Sequence, residues 1–169
     1  QQVATPVVAT SPVLMPATVP AAPIADVPLP VQTEAFSFVL PATPTIKPIT
    51  AFASDPTITG TQWTLRVNDS PVSVLALTYP FALDEPAQQA AVDSMAANMA
   101  ANIKGTVVSD TSATIDGVYQ RDVVITSLGG TMVVKCFGKG TWLVMMVGVS
   151  TGDEAPIGLA ELVASFSFV

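Results

Sequence analysis

Proline constrains this chain more than any other residue. Residues 1–33 hold seven prolines (Pro6, Pro12, Pro16, Pro20, Pro23, Pro28 and Pro30), no glycine and one charge, Asp26. Each proline fixes φ and removes a backbone donor, so the stretch is barred from a regular helix and from a central strand. A solvated linker would carry Gly, Ser or charge. This stretch instead carries Val7, Val8, Val13, Leu14, Met15, Val19, Ile24, Val27, Leu29 and Val31. It reads as a stiff, apolar, extended arm, and those ten side chains are the expected partner-binding residues.

Residues 34–169 form the second unit, read as a single α+β domain large enough to bury a core without staples. Half of the chain is apolar and only 11% is charged, against about 25% in ordinary soluble domains. A surface so poor in charge suggests cover by another protein. The net charge is −7, and the six basic residues are scattered, which argues against nucleic acid and against electrostatic docking on anionic lipid. No apolar run is long enough to span a bilayer. A Pro/Ala/Thr/Val-rich stretch directly after Gln1 is typical of exported bacterial proteins, between a cleavage site or lipid anchor and the folded domain. Export to the periplasm or the outer face of a membrane is therefore expected.

Alternation and turn residues predict the elements of the domain. Phe36–Leu40 alternates and stops at Pro41, and Ile49–Ala53 is expected as a short edge strand among Pro44, Pro48 and Pro56. Gln62–Val67 sets Trp63, Leu65 and Val67 on one face, and Asn68-Asp69-Ser70-Pro71 turns it into Val72–Tyr79. Asp84 caps a helix running to Lys104, with Pro86 in its first turn and a stripe of Val92, Met95, Ala96, Met99 and Ile103. Gly105 is its expected C′ residue. Thr106–Val108 starts a further strand, Asp116-Gly117 turns, and Val118–Thr126, Thr131–Phe137 and Thr141–Val149 form a meander. The last of these is apolar on both faces and should be central. Asp153-Glu154 is expected to open a second helix. Strands, helix, strands, helix indicates an antiparallel sheet packed with two helices.

Catalytic signatures are missing. Without histidine, a Ser-His-Asp triad, a Cys-His pair and a histidine-bound metal are all excluded. Cys136, the sole thiol, reads as a small core hydrophobe, so no disulfide is expected. Met95/Met99 and Met145/Met146 read as core rather than copper ligands. Asp84-Glu85 and Asp153-Glu154 are explained by helix dipoles, and Gly129-Gly130 and Gly138-Lys139-Gly140 by hairpin turns. Arg66 and Arg121 are expected to pair with carboxylates such as Asp69 or Asp122. No cofactor and no metal is expected.

Several of these features together resemble the PsbP-like fold, named for an extrinsic lumenal subunit of photosystem II. They are Phe36-Ser37-Phe38-Val39-Leu40-Pro41, the helix Asp84–Lys104 with Gly105, the strand after Asp116-Gly117, the Phe137-Gly138 hairpin and the closing Ser165-Phe166. They also resemble a broad set of exported bacterial proteins and lipoproteins. The resemblance covers residues 34–169 and implies an α/β/α sandwich, accessory roles in larger assemblies and no catalytic residues. The expectation is a non-catalytic accessory subunit that docks through its arm on a larger, membrane-bound protein complex, with a photosynthetic or respiratory complex implied by the resemblance alone. The alternative is a free or lipid-anchored domain that holds a small apolar ligand between sheet and helix, with the arm as spacer.

Overall fold

A computed structural model describes residues 27–152 and 154–169. They form two antiparallel sheets and two α-helices, an α+β architecture. Ten strands run β1 (Leu29–Gln32), β2 (Phe36–Leu40), β3 (Thr45–Ile49), β4 (Thr59–Val67), β5 (Ser70–Thr78), β6 (Thr106–Ile115), β7 (Val118–Ser127), β8 (Gly130–Lys139), β9 (Trp142–Ser150) and β10 (Ser167–Phe168). Helix α1 (Glu85–Ile103) follows β5, and α2 (Leu159–Ser165) follows β9. The large sheet has the order β3-β4-β5-β9-β8-β7-β6, and the small one β1-β2-β10. β9 is the fourth of seven strands, as its two apolar faces require.

Strand alternation divides the core in two. On one face of the large sheet, Val74, Ala76, Val144 and Met146 pack against Phe36, Phe38 and Leu40 of β2 and against Leu159 and Leu162 of α2. Phe36 meets Trp142 edge-on at 5.1 Å, and Phe38 meets Trp63 at 5.4 Å. These edge-to-face contacts align ring edges with negative faces and fix the small sheet on the large one. On the other face, Leu75, Leu77, Leu143, Met145 and Val147 pack against Val92, Met95 and Ala96 of α1.

Helix α1 begins and lies as its sequence dictates. Asp84 accepts from Ala87 N–H at 3.0 Å, which satisfies one orphan donor, and a proline stands in the first turn. The stripe of Val92, Met95 and Ala96 is buried, with Met99 and Ile103 half-buried beside it. Two details differ from expectation. The left-handed residue at the carboxyl end is Lys104 (φ 49°), not Gly105. Gly105 serves close approach instead: a Cβ there would stand 2.5 Å from Ile125 Cγ2 and 2.9 Å from the Thr126 carbonyl oxygen. Gln88, which is not one of the stripe residues, is also buried, and its amide donates to the Leu83 carbonyl at 2.8 Å.

Other elements also shift. The edge strand expected at Ile49–Ala53 lies earlier, at Thr45–Ile49, since an edge strand tolerates Pro48. Phe52 and Asp55 bridge across a two-residue turn, Ala53-Ser54, both in the left-handed region (φ 50° and 69°). β6 runs ten residues, far beyond Val108, though no hydrophobic alternation marks it. Helix α2 starts at Leu159 rather than at Asp153-Glu154; Glu154 instead accepts from the Ser150 hydroxyl through its carbonyl, and Asp153 lies outside the described residues. The last residues of the expected arm belong to the domain. β1 pairs with β2 from Leu29↔Leu40 to Gln32↔Ser37, with Pro30 tolerated because β1 is an outer strand.

Candidate functional site

Helix α1 packs on β7 and β8 and touches β9 at its margin, so it covers the large sheet off-centre. The segment between β3 and β4 packs Phe52 and Ile58 against the same core some distance away. Between them a cleft of about 440 Å³ opens above the sheet. This volume is in the range of small-molecule sites, about 300–1,000 Å³.

Leu75 of β5 and Met145 of β9 belong to the sheet that floors the cleft, and Ala91, Met95 and Met99 form its helical wall. Phe52, Ala53, Ile58 and Tyr79 complete the apolar lining. Polar atoms come from Gln62, Ser94, Asn98 and Asn102, the last three exposed on α1. Among the described residues, none of the lining side chains is charged. Met95, Met99 and Met145 are unbranched and polarisable, so the wall adapts to the shape of what it meets. The Asn and Gln amides each supply donors and an acceptor without net charge.

Two titrating groups border the site. Burial and the negative charge of Asp55 push the Tyr79 phenol above its ordinary value, so it stays a neutral hydroxyl at physiological pH. Asp55 is held below the usual carboxylate range by the Thr57 hydroxyl at 2.6 Å and the Thr57 amide at 2.8 Å. Those bonds tie the carboxylate into its own turn.

A second polar cluster fixes the helix over the sheet. Arg121 of β7 donates to both oxygens of Asp110 on β6, at 2.9 and 2.7 Å, and reaches Asp93 on α1 at 2.6 Å. The Tyr119 hydroxyl donates to the same Asp93 oxygen at 3.1 Å. Arg121 holds Asp110 below the usual carboxylate range, and Asp110 in turn raises the guanidinium. The cluster is a brace between α1, β6 and β7.

The remaining candidates fall elsewhere. Cys136 is buried on the α1 side of β8, and burial pushes its thiol up to about 12, so it is not a nucleophile at neutral pH. Asp122 pairs with Lys135 across β7 and β8, not with an arginine, and Arg66 donates to the Asp69 carbonyl at 2.7 Å. Gly129-Gly130 and Gly140 stand at hairpin turns. Met145 faces α1 and Met146 the opposite layer. Among the described residues, no group of three or more His, Cys, Asp or Glu converges as a metal site, and no helix is long and apolar enough to cross a membrane.

Of the arm residues, Val7, Val8, Val13, Leu14, Met15, Val19 and Ile24 lie outside the described residues. Val27 and Leu29 are exposed, and Val31 packs against the core of the small sheet. The cleft residues Leu75, Asn98 and Asn102 carry no sequence signal that marks them; only the offset of α1 assembles them. Compared with known proteins, the chain matches no family model and no curated protein.

Proposed function

We propose that this chain is a non-catalytic binding module that holds one small, uncharged, largely apolar molecule in the cleft beside α1. The carrying observation is the cleft itself: about 440 Å³, apolar in its floor and walls, with amides and hydroxyls as its only polar lining groups. An ionised ligand would lose its hydration there without gaining a counter-charge, which disfavours it. A neutral ligand with an apolar body and a hydrogen-bonding end matches the lining. The layered arrangement, α1 on one face and α2 with the small sheet on the other, is what supports carrying the PsbP-like α/β/α sandwich forward as part of this proposal. The proposed setting is an exported protein, in the periplasm or at the outer face of a membrane.

A second reading has its own support in the amino-terminal stretch. There the arm docks the domain on a larger, membrane-bound assembly. The apolar, proline-rich composition of residues 1–33 favours it, because prolines lower the entropy lost when a segment is ordered on a partner. The exposure of Val27 just before β1 and of Leu29 at its start extends that apolar character up to the domain.

One experiment separates the readings. Protein purified from its native source is extracted with organic solvent and the extract analysed by mass spectrometry, for the full chain and for a chain lacking residues 1–26. A single neutral compound at near-stoichiometric yield from both forms is the expected result. Absence of any bound compound, together with loss of a partner assembly on truncation, would favour docking by the arm.

A further inference from the structure

The outer strands of the two sheets are not protected alike. β3 is five residues long and carries Lys47 and Pro48, and β1 is four residues long with Pro30. Charge and proline are the usual means by which a sheet edge avoids pairing with a foreign strand. β6 has neither lysine nor proline over its ten residues, and among the described residues no strand pairs with its outer side. Its one irregularity is a bulge between Val107 and Ser109, at one end. Val107, Val108 and Ile115 are exposed on it. Its single charge, Asp110, is already engaged by Arg121.

We propose that β6 is an association edge, and that its partner is β6 of a second copy of this chain, paired antiparallel about a two-fold axis. This goes beyond ligand binding and does not depend on it. Charge supports self-pairing. The chain carries a net charge of −7, of which little stands around β6: with Glu85 of α1 at Thr114 and Asp93 of α1 at Arg121, the carboxylates of Asp110, Asp116, Asp122, Glu85 and Asp93 stand against Arg121, Lys135 and Lys139, a net −2. Two copies approaching along this edge therefore meet less repulsion than the rest of the chain, at −5, would impose. The amino-terminal stretch is a poor occupant, since between Gln1 and Pro30 no proline-free run exceeds five residues. A ten-residue ladder would meet missing donors in it.

The pleat restricts the register. In an antiparallel pair, directly opposed residues share a face, so the two-fold axis passes through a residue position. Centring on Asp110 would oppose two carboxylates. Centring on Thr111 sets Asp110 against Ser112 of the other copy, a neutral contact with a hydroxyl; centring on Ser112 sets it against Thr114, whose hydroxyl already donates to Glu85, so the first register is the more favourable.

Sedimentation equilibrium of the full chain is expected to show a reversible dimer. Thr111→Lys should weaken it by at least about tenfold, because like charges then stand opposite or diagonal across the axis. Ile46→Lys, on the exposed opposite edge, should leave it unchanged. Thr111→Cys and Ser112→Cys give an independent readout: facing residues about 4.5–5.5 Å apart suit a disulfide, so one of the two should cross-link under mild oxidant while buried Cys136 does not. A monomeric wild type overturns the proposal. So does a dimer that Thr111→Lys leaves intact, or one from which neither cysteine variant cross-links.

Discussion

Leu75 and Met145 stand directly opposite each other on β5 and β9, and this pair belongs to the floor of the cleft. Both are buried, and they line the same space as Phe52 and Ile58 and the α1 residues Ala91, Met95 and Met99. Filling that space from the helix side should abolish binding without disturbing the floor. Ala91→Trp places a large ring there, and the expected outcome is a loss of ligand affinity of at least about tenfold, with folding retained because Ala91 is only half-buried. Isothermal titration with the ligand recovered by extraction, together with circular dichroism, checks both parts.

The Ala53-Ser54 turn beside the cleft holds two L-residues with positive φ. That conformation costs a non-glycine residue about 1 kcal/mol or more, and Asn-Gly is the pair it favours. The double substitution Ala53→Asn with Ser54→Gly should therefore stabilise the domain by about 1 kcal/mol, read as a higher midpoint in chemical denaturation.

Gly105 carries the opposite prediction. The atoms that crowd its absent Cβ include the Thr126 carbonyl, which cannot turn away as a side chain would. Gly105→Ala should destabilise by about 1–3 kcal/mol through displacement of α1 from β7. Equilibrium denaturation measures it.

The Arg121 brace gives a pH dependence of definite sign. Arg121 depresses the Asp110 carboxyl in the folded state relative to an unfolded value near 3.9. The stabilisation is therefore full above that unfolded value and is lost as pH falls through the folded one. Asp110 is partly exposed, so water screens the pair and the contribution at neutral pH is at most about 1 kcal/mol. Asp110→Asn should lower the melting temperature at pH 7 and converge on the wild type in strong acid. A constant offset at all pH values would contradict this account.

Cys136 should resist alkylation in the folded protein. Its thiol is pushed up to about 12 by burial and is shielded from reagent. Labelling with iodoacetamide is expected only once denaturant unfolds the chain, followed by intact-mass spectrometry.

The sequence makes local features legible and leaves lateral placement unreadable. The alternation of Trp63, Leu65 and Val67, the Asp84 cap and the stripe from Val92 to Met99 each record a local requirement of strand or helix, and each appears in the fold. β6 escapes full recognition because both its faces are exposed and no alternation is needed. The small sheet escapes because β1 and β10 meet β2 through pairings such as Phe168↔Phe36, which no short-range pattern records. The cleft escapes for the same reason: Phe52, Leu75, Met99 and Met145 come together only through the offset of α1 over the sheet. Asp153-Glu154 misled because an acidic pair suits a loop as well as a helix start, and the helix waits until Leu159.

The central claim is that the cleft beside α1 takes an uncharged apolar molecule. Fluorescence titration with the neutral probe N-phenyl-1-naphthylamine tests it most directly, with wild type and Ala91→Trp measured side by side. Saturable, one-to-one enhancement with the wild type and its loss in Ala91→Trp is the predicted result. No saturable binding, or binding that Ala91→Trp leaves untouched, would contradict it.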